Sequence, residues 1–275
     1  MRKKLLFILF TLLISNFVSS QPRTNEDETS LYASTKQINQ FIRRFNGEED
    51  LHGNRLYPEN KNYRSTQLRK KYLSNIFDNQ NFNISNNLKN EFIKDILNST
   101  NSKYFDFYGN NWFAEISTDF LYNGKTENII LYLQIEKETG GYKWSFINAY
   151  FPSLDKEFKT NPPTTDKFIH PMSHELEFMN LRKIFIHNKE IEHYAFKNYK
   201  PDYLSLFFLE TKRGKLQFVT VNELKFHVFQ IKDWYFEIQN FNRKGENTGW
   251  LISNLIKIPE KDKTSLINLI THNTN

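Results

Sequence analysis

The apolar residues of this chain switch from a helical period to a period of two, return to a helical period, and switch to two again. No fold made of one kind of element fits that alternation. Leu31, Ile38, Phe41, Ile42 and Phe45 fall at helical spacing, and Asn46–Gly47 supplies a stop. Ser65 is placed to cap a second helix carrying Leu68, Tyr72, Leu73, Ile76 and Phe77 on one face. Ser85 is placed to cap a third, with Leu88, Phe92, Ile93, Ile96 and Leu97. From Trp112 the period is two: Trp112, Ala114, Ile116, Thr118 and Phe120 alternate with Phe113, Glu115, Ser117, Asp119 and Leu121. Asn123–Gly124 then reads as a tight hairpin turn, because both residues tolerate positive φ. Ile129–Glu136 is the return strand. After the Gly140–Gly141 turn, Trp144–Phe151 is a third strand, closed by Pro152.

The second half repeats this order. Pro152, Pro162, Pro163 and Pro171 mark a linker. Ser173 is placed to cap a helix through Leu176, Phe178, Met179, Leu181, Ile184 and Phe185, and a shorter helix surrounds Ile191, Tyr194 and Ala195. Four strands are then expected in series, at Tyr203–Glu210, Leu216–Val221, Lys225–Ile231 and Trp234–Phe241, with a fifth at Gly249–Ile258. A terminal helix carries Leu266, Ile267, Leu269 and Ile270. The expected class is α+β, as two helix-then-antiparallel-sheet domains, each a curved sheet packed on its own N-terminal helices. Their bounds are 30–152 and 171–275, joined by a linker over 153–170. The halves also share a local pattern: Asn148 lies four residues after Trp144, Asn254 four after Trp250, and a proline follows each strand.

At Gly141–Phe151 and Gly249–Ile258 the chain resembles the NTF2-like, or cystatin-like, α+β superfamily, in which leading helices pack into the concave side of a curved sheet. The resemblance implies a fold and a pocket, in two tandem copies, but no reaction, because that scaffold serves enzymes, ligand binders and interaction modules alike.

Residues 1–20 suggest where such a protein works. Arg2, Lys3 and Lys4 precede an apolar run over Leu5–Leu13, and Val18 and Ser20 suit a leader-peptidase site before Gln21. The run is shorter than the roughly 20 residues that cross a bilayer. The expectation is a cleaved signal peptide, a loose tail over 21–29, and a periplasmic or secreted protein without stable membrane insertion. With no cysteine in the sequence, disulfides and a lipid-modified N-terminus are excluded. The net charge of +6 includes the three leader charges, so the mature chain is too weakly basic to indicate nucleic acid.

The motifs that announce catalysis are missing. There is no phosphate loop, no Gly-x-Ser-x-Gly elbow and no thiol. His170 and His174 are separated by Pro171, and His174-Glu175 lacks the second histidine of a zinc-protease helix, so neither metal nor cofactor is expected. His227, between Phe226 and Val228, and Asp119 are the candidate bases should a sheet-lined pocket do acid–base chemistry. The dense aromatic run Tyr104–Phe113 either packs into the core or stacks on sugar rings. These features favour a non-catalytic binding module for a small molecule, a glycan or an envelope protein. The residues to hold a ligand are Tyr108, Trp112, Trp144, His227 and Trp250. Protein–protein interaction, as in an immunity-type factor, is the alternative, and a cofactor-free enzyme a further one.

Overall fold

A computed structural model describes residues 38–158, 181–186, 188–196, 199–245 and 247–273. The leader, the tail and most of the expected linker lie outside them, as do His170, His174 and His187. The first described helix, α1, covers residues 38–46. It ends where Gly47 takes φ +70°, and a Cβ there would meet Arg69 Cγ at 2.6 Å. Helices α2 (Thr66–Leu73) and α3 (Asn86–Ile96) start as expected: Ser65 Oγ accepts from Leu68 N and Ser85 Oγ from Leu88 N.

Strands β1 (Trp112–Tyr122), β2 (Lys125–Glu138) and β3 (Gly141–Tyr150) form the first meander. Its first turn has φ 50° at Asn123 and 78° at Gly124, as the hairpin reading requires. A short helix, α4 (Pro152–Glu157), occupies the start of the expected linker, and α5 (Leu181–Ile186) and a 3₁₀ turn (Asn188–Tyr194) follow. Tyr203–Glu210, expected as a strand, lies in helix α6 (Tyr203–Lys212). Its Asp202 cap accepts from Ser205 N at 3.0 Å and from Ser205 Oγ at 2.6 Å. A short apolar run has no period of its own, so the cap decides it. Lys103–Tyr108 is irregular. The two strands expected at Leu216–Val221 and Lys225–Ile231 are one, β4 (Leu216–Val228). β5 (Trp234–Phe241), β6 (Gly249–Lys257) and α7 (Glu260–Ile270) close the chain.

The architecture is α+β, but the expectation of one sheet per half is corrected. All six strands form one antiparallel sheet in the order β3-β2-β1-β4-β5-β6. The halves are joined by β1 and β4, paired from Trp112↔Val228 to Tyr122↔Leu216. The helices do not respect the halves either. Phe45 of α1 stacks on Phe236 at 6.0 Å, and Phe92 of α3 meets Trp234 edge-on at 5.1 Å, both on β5. Amphipathic helices cover whichever apolar face is nearest, and the joined sheet sets β5 beneath them.

Each half contributes a three-strand meander, the two joined at their first strands, and the shared Trp-to-Asn spacing has a structural counterpart. Register shifts leave Ile147 opposite no residue of β2 and Ser253 opposite none of β5, a bulge three residues after Trp144 and after Trp250.

The sheet carries apolar layers on both faces. One face, with Trp112, Phe226, Trp234, Phe236 and Ile252, takes the N-terminal helices. Rings from distant strands meet over it: Trp144 of β3 lies 6.2 Å from Phe226 of β4, so the sheet curls around this face. On the other face, Phe113, Tyr132, Phe229 and Tyr235 are covered by Leu266, Ile267 and Ile270 of α7. Buried Lys263 anchors that helix by donating to Phe229 O at 2.7 Å and Ile231 O at 2.8 Å. Among the described residues, no helix is long and apolar enough to cross a membrane.

Candidate functional site

The five residues named for ligand binding are dispersed. Trp112 is fully buried in the core under the helices, with its indole Nε1 donating to Phe107 O. Trp144 sits half-buried beside it, ring to ring at 5.4 Å. Trp250 is buried on the same face but borders a groove. His227 lies on the opposite face. Only Tyr108 stands out into solvent.

Tyr108 is 54 % exposed and Tyr142, on β3, 48 % exposed. Their rings lie 4.3 Å apart at 33°. They border a depression of about 550 Å³ walled by polar side chains, among them Asn110, Gln134, Glu136 and Ser145. Ser145 Oγ donates to Glu136 Oε2 at 2.7 Å, which fixes part of the rim. Tyr108 is held from below: its amide donates to Asp106 Oδ1 at 3.0 Å and its ring packs edge-on against Phe107. The aromatic run therefore divides. Phe105, Trp112 and Phe113 are core, and Tyr108 is surface.

A larger groove, about 1050 Å³, lies between α1, the end of α2 and the β5–β6 hairpin. Phe41, Ile76 and Trp250 form apolar wall, and Gln40, Asn75 and Thr248 add polar groups. Its one cation, Arg44, is already matched by Glu49, 2.8 Å away and fully buried. The hairpin loop is pinned by Arg243, which donates to Asp78 Oδ1 at 2.6 Å, Gln80 Oε1 at 2.9 Å and Asn247 O at 2.7 Å.

His227 is 2 % exposed and, among the described residues, borders none of these cavities. It stands in a polar chain. Its Nε2 lies 2.9 Å from Glu115 Oε2 and its Nδ1 2.9 Å from the Tyr235 hydroxyl. That hydroxyl donates to Glu237 Oε1 at 2.6 Å, which also accepts from Asn254 at 3.1 Å. Lys225 pairs with Glu115 at 3.0 Å. Burial raises the Glu115 carboxyl, but the hydrogen bonds and charges of His227 and Lys225 outweigh it and hold the group below the usual glutamate value. Burial and neighbouring Glu237 push the Tyr235 phenol far above the ordinary tyrosine value. A phenol has one proton, and Tyr235 gives it to Glu237. An ionised Glu115 only accepts. Asp119, the other candidate base, is half-buried and accepts from Asn128 at 3.2 Å and Asn222 at 2.7 Å.

Compared with protein-family models, curated proteins and solved structures, the chain matches none.

Sequence reasoning missed Tyr142, Glu115 as the partner of His227, and Glu237. Tyr142 follows directly on Gly141, and the turn there carries it outward. Glu115 was legible only as one of a polar strand face. Its meeting with His227 follows from the β1–β4 register, in which Phe113 faces His227 and Glu115 faces Lys225. No local pattern encodes that register.

Proposed function

We propose that the protein is an exported, non-catalytic binding module of the cell envelope, and that its ligand is a glycan taken on the Tyr108–Tyr142 shelf. The leader-like residues 1–20 support export. The carrying observation is the pair of half-exposed tyrosines in ring contact beside a polar rim, which together present an aromatic surface flanked by hydrogen-bonding groups. Sugar rings suit such a shelf: their C–H faces lie on aromatic rings while their hydroxyls reach Asn110, Gln134 and Ser145. A glycan array followed by calorimetry with chitohexaose, cellohexaose and peptidoglycan fragments tests the reading. Binding should fall at least about tenfold, or 1.4 kcal/mol, in Tyr108→Ala and in Tyr142→Ala. A bound glycan indifferent to both substitutions, or an array with no signal, removes the proposal.

Protein–protein interaction has its own support, the exposed Phe146 and Ile147 on the edge strand β3. Acid–base catalysis has less: His227 has polar partners but no described cavity brings a substrate to it.

A further inference from the structure

The groove in front of Trp250 is a strand position that the described residues leave empty, and we propose that it binds an uncharged, extended peptide by pairing with the edge of β6.

The two edges of the sheet are β3 and β6. Part of the β6 edge is covered by the segment after α2. Ile252 N–H donates to Ile76 O at 2.7 Å, and Ile252 O accepts from Asp78 N at 2.9 Å, a parallel bridge centred on Phe77. The backbone of Ile252 therefore points away from β5. In an antiparallel pair the outward-pointing residues alternate. Leu251 faces Gln239 and Trp250 faces Asn240 in the same unshifted stretch of register, so Trp250 shares the outward orientation of Ile252. Its N–H and C=O meet no hydrogen-bonding partner among the described residues. The covering segment cannot reach them, because the chain at Asn75 has just left α2.

The space beside Trp250 is the groove of about 1050 Å³. From Thr248 to Ile252 it matches roughly four residues of extended chain at ~3.3 Å each. Its chemistry indicates the occupant. Gln40, Asn75 and Thr248 line it with uncharged polar groups that already donate to Glu49 at 3.0 Å, Lys71 O at 3.2 Å and Phe241 O at 2.7 Å, so that they offer oxygen acceptors to peptide N–H groups. Phe41 and Ile76 offer an apolar wall to alternate side chains. Arg44 is matched by buried Glu49, so no carboxylate is sought from the ligand. The indole Nε1 of Trp250 is buried without a partner, a second unsatisfied group on this residue. The Arg243 clamp holds the hairpin wall in place before any ligand arrives, which lowers the ordering cost of strand addition.

The test selects heptapeptides from a phage-displayed random library on the mature chain from Gln21, then measures synthetic copies by calorimetry and by amide hydrogen exchange. The expected result is uncharged, alternating sequences that slow exchange at the Trp250 amide at least about tenfold. N-methylation at alternate positions should abolish this in one of its two phases, since only one phase removes the pairing N–H groups. Asn242→Trp, which places an indole from an exposed position into the groove, should block binding while the melting temperature holds. Tyr108→Ala should leave it unchanged, which separates this site from the glycan shelf. Failure to enrich any peptide, affinity that survives both N-methylated phases, or undiminished binding to Asn242→Trp each overturns the proposal.

Discussion

Glu115 shows how a single carboxylate can govern the acid stability of this protein. Its folded value lies below the unfolded one, so the stabilisation it supplies is complete above the unfolded glutamate range and is lost as pH falls through the folded value. Glu115→Gln should cost roughly 1.5–3 kcal/mol at pH 7, since it removes a charged acceptor from His227 and Lys225. Urea titrations at a series of pH values from 7 downward check the sign: the deficit should shrink as the pH falls, because the wild type progressively loses the stabilisation that depends on the charge. A deficit of equal size throughout would mean that the carboxylate is not the stabilising form. Gly124 isolates a different effect. It has φ +78° and open space where a Cβ would stand, so Gly124→Ala should cost about 1–2 kcal/mol from backbone conformation alone, as read in a thermal melt.

At the scale of elements, the β5–β6 hairpin depends on one side chain. Arg243→Ala removes the bonds to Asp78, Gln80 and the loop carbonyl of Asn247. It should lower stability by roughly 1.5–3 kcal/mol and speed amide exchange at Asn247 and Thr248, with little change at β1. The elements were mostly legible where they announced themselves locally. Ser65 and Ser85 cap as their positions require, the Asn123–Gly124 turn is where positive φ is tolerated, and Trp234–Phe241 begins and ends as its alternation implies. Tyr203–Glu210 misled because a short aromatic run suits strand or helix, and the Asp202 cap decides for the helix. The site was less legible. Tyr108 was identifiable as an aromatic beside polar residues, but the positions of Tyr142 and Glu115 follow from pairings between distant strands, and a register cannot be read from either strand alone.

The whole molecule is bound together more tightly than its repeated order implies. The first half's α1 and α3 pack on β5 of the second, and β1 needs β4 along its full length. Residues 21–158 and 181–275, expressed separately, should each lack a cooperative melt, whereas the intact chain should unfold in one transition with equal calorimetric and van't Hoff enthalpies. Two independent transitions would show that each half holds a core of its own.

The pairing of β1 with β4 also sets a timetable. As the chain emerges from its N-terminus, α1, α3 and β1 exist with their apolar faces open until β4 and β5 have been made, on the order of 100 residues later. Closing so long a loop is slow, so the β1 edge that pairs with β4 waits even where the β1–β2–β3 meander can form locally. For a protein that crosses a membrane as an unfolded thread, as proposed here, that delay keeps the thread pliable until its last strands are free.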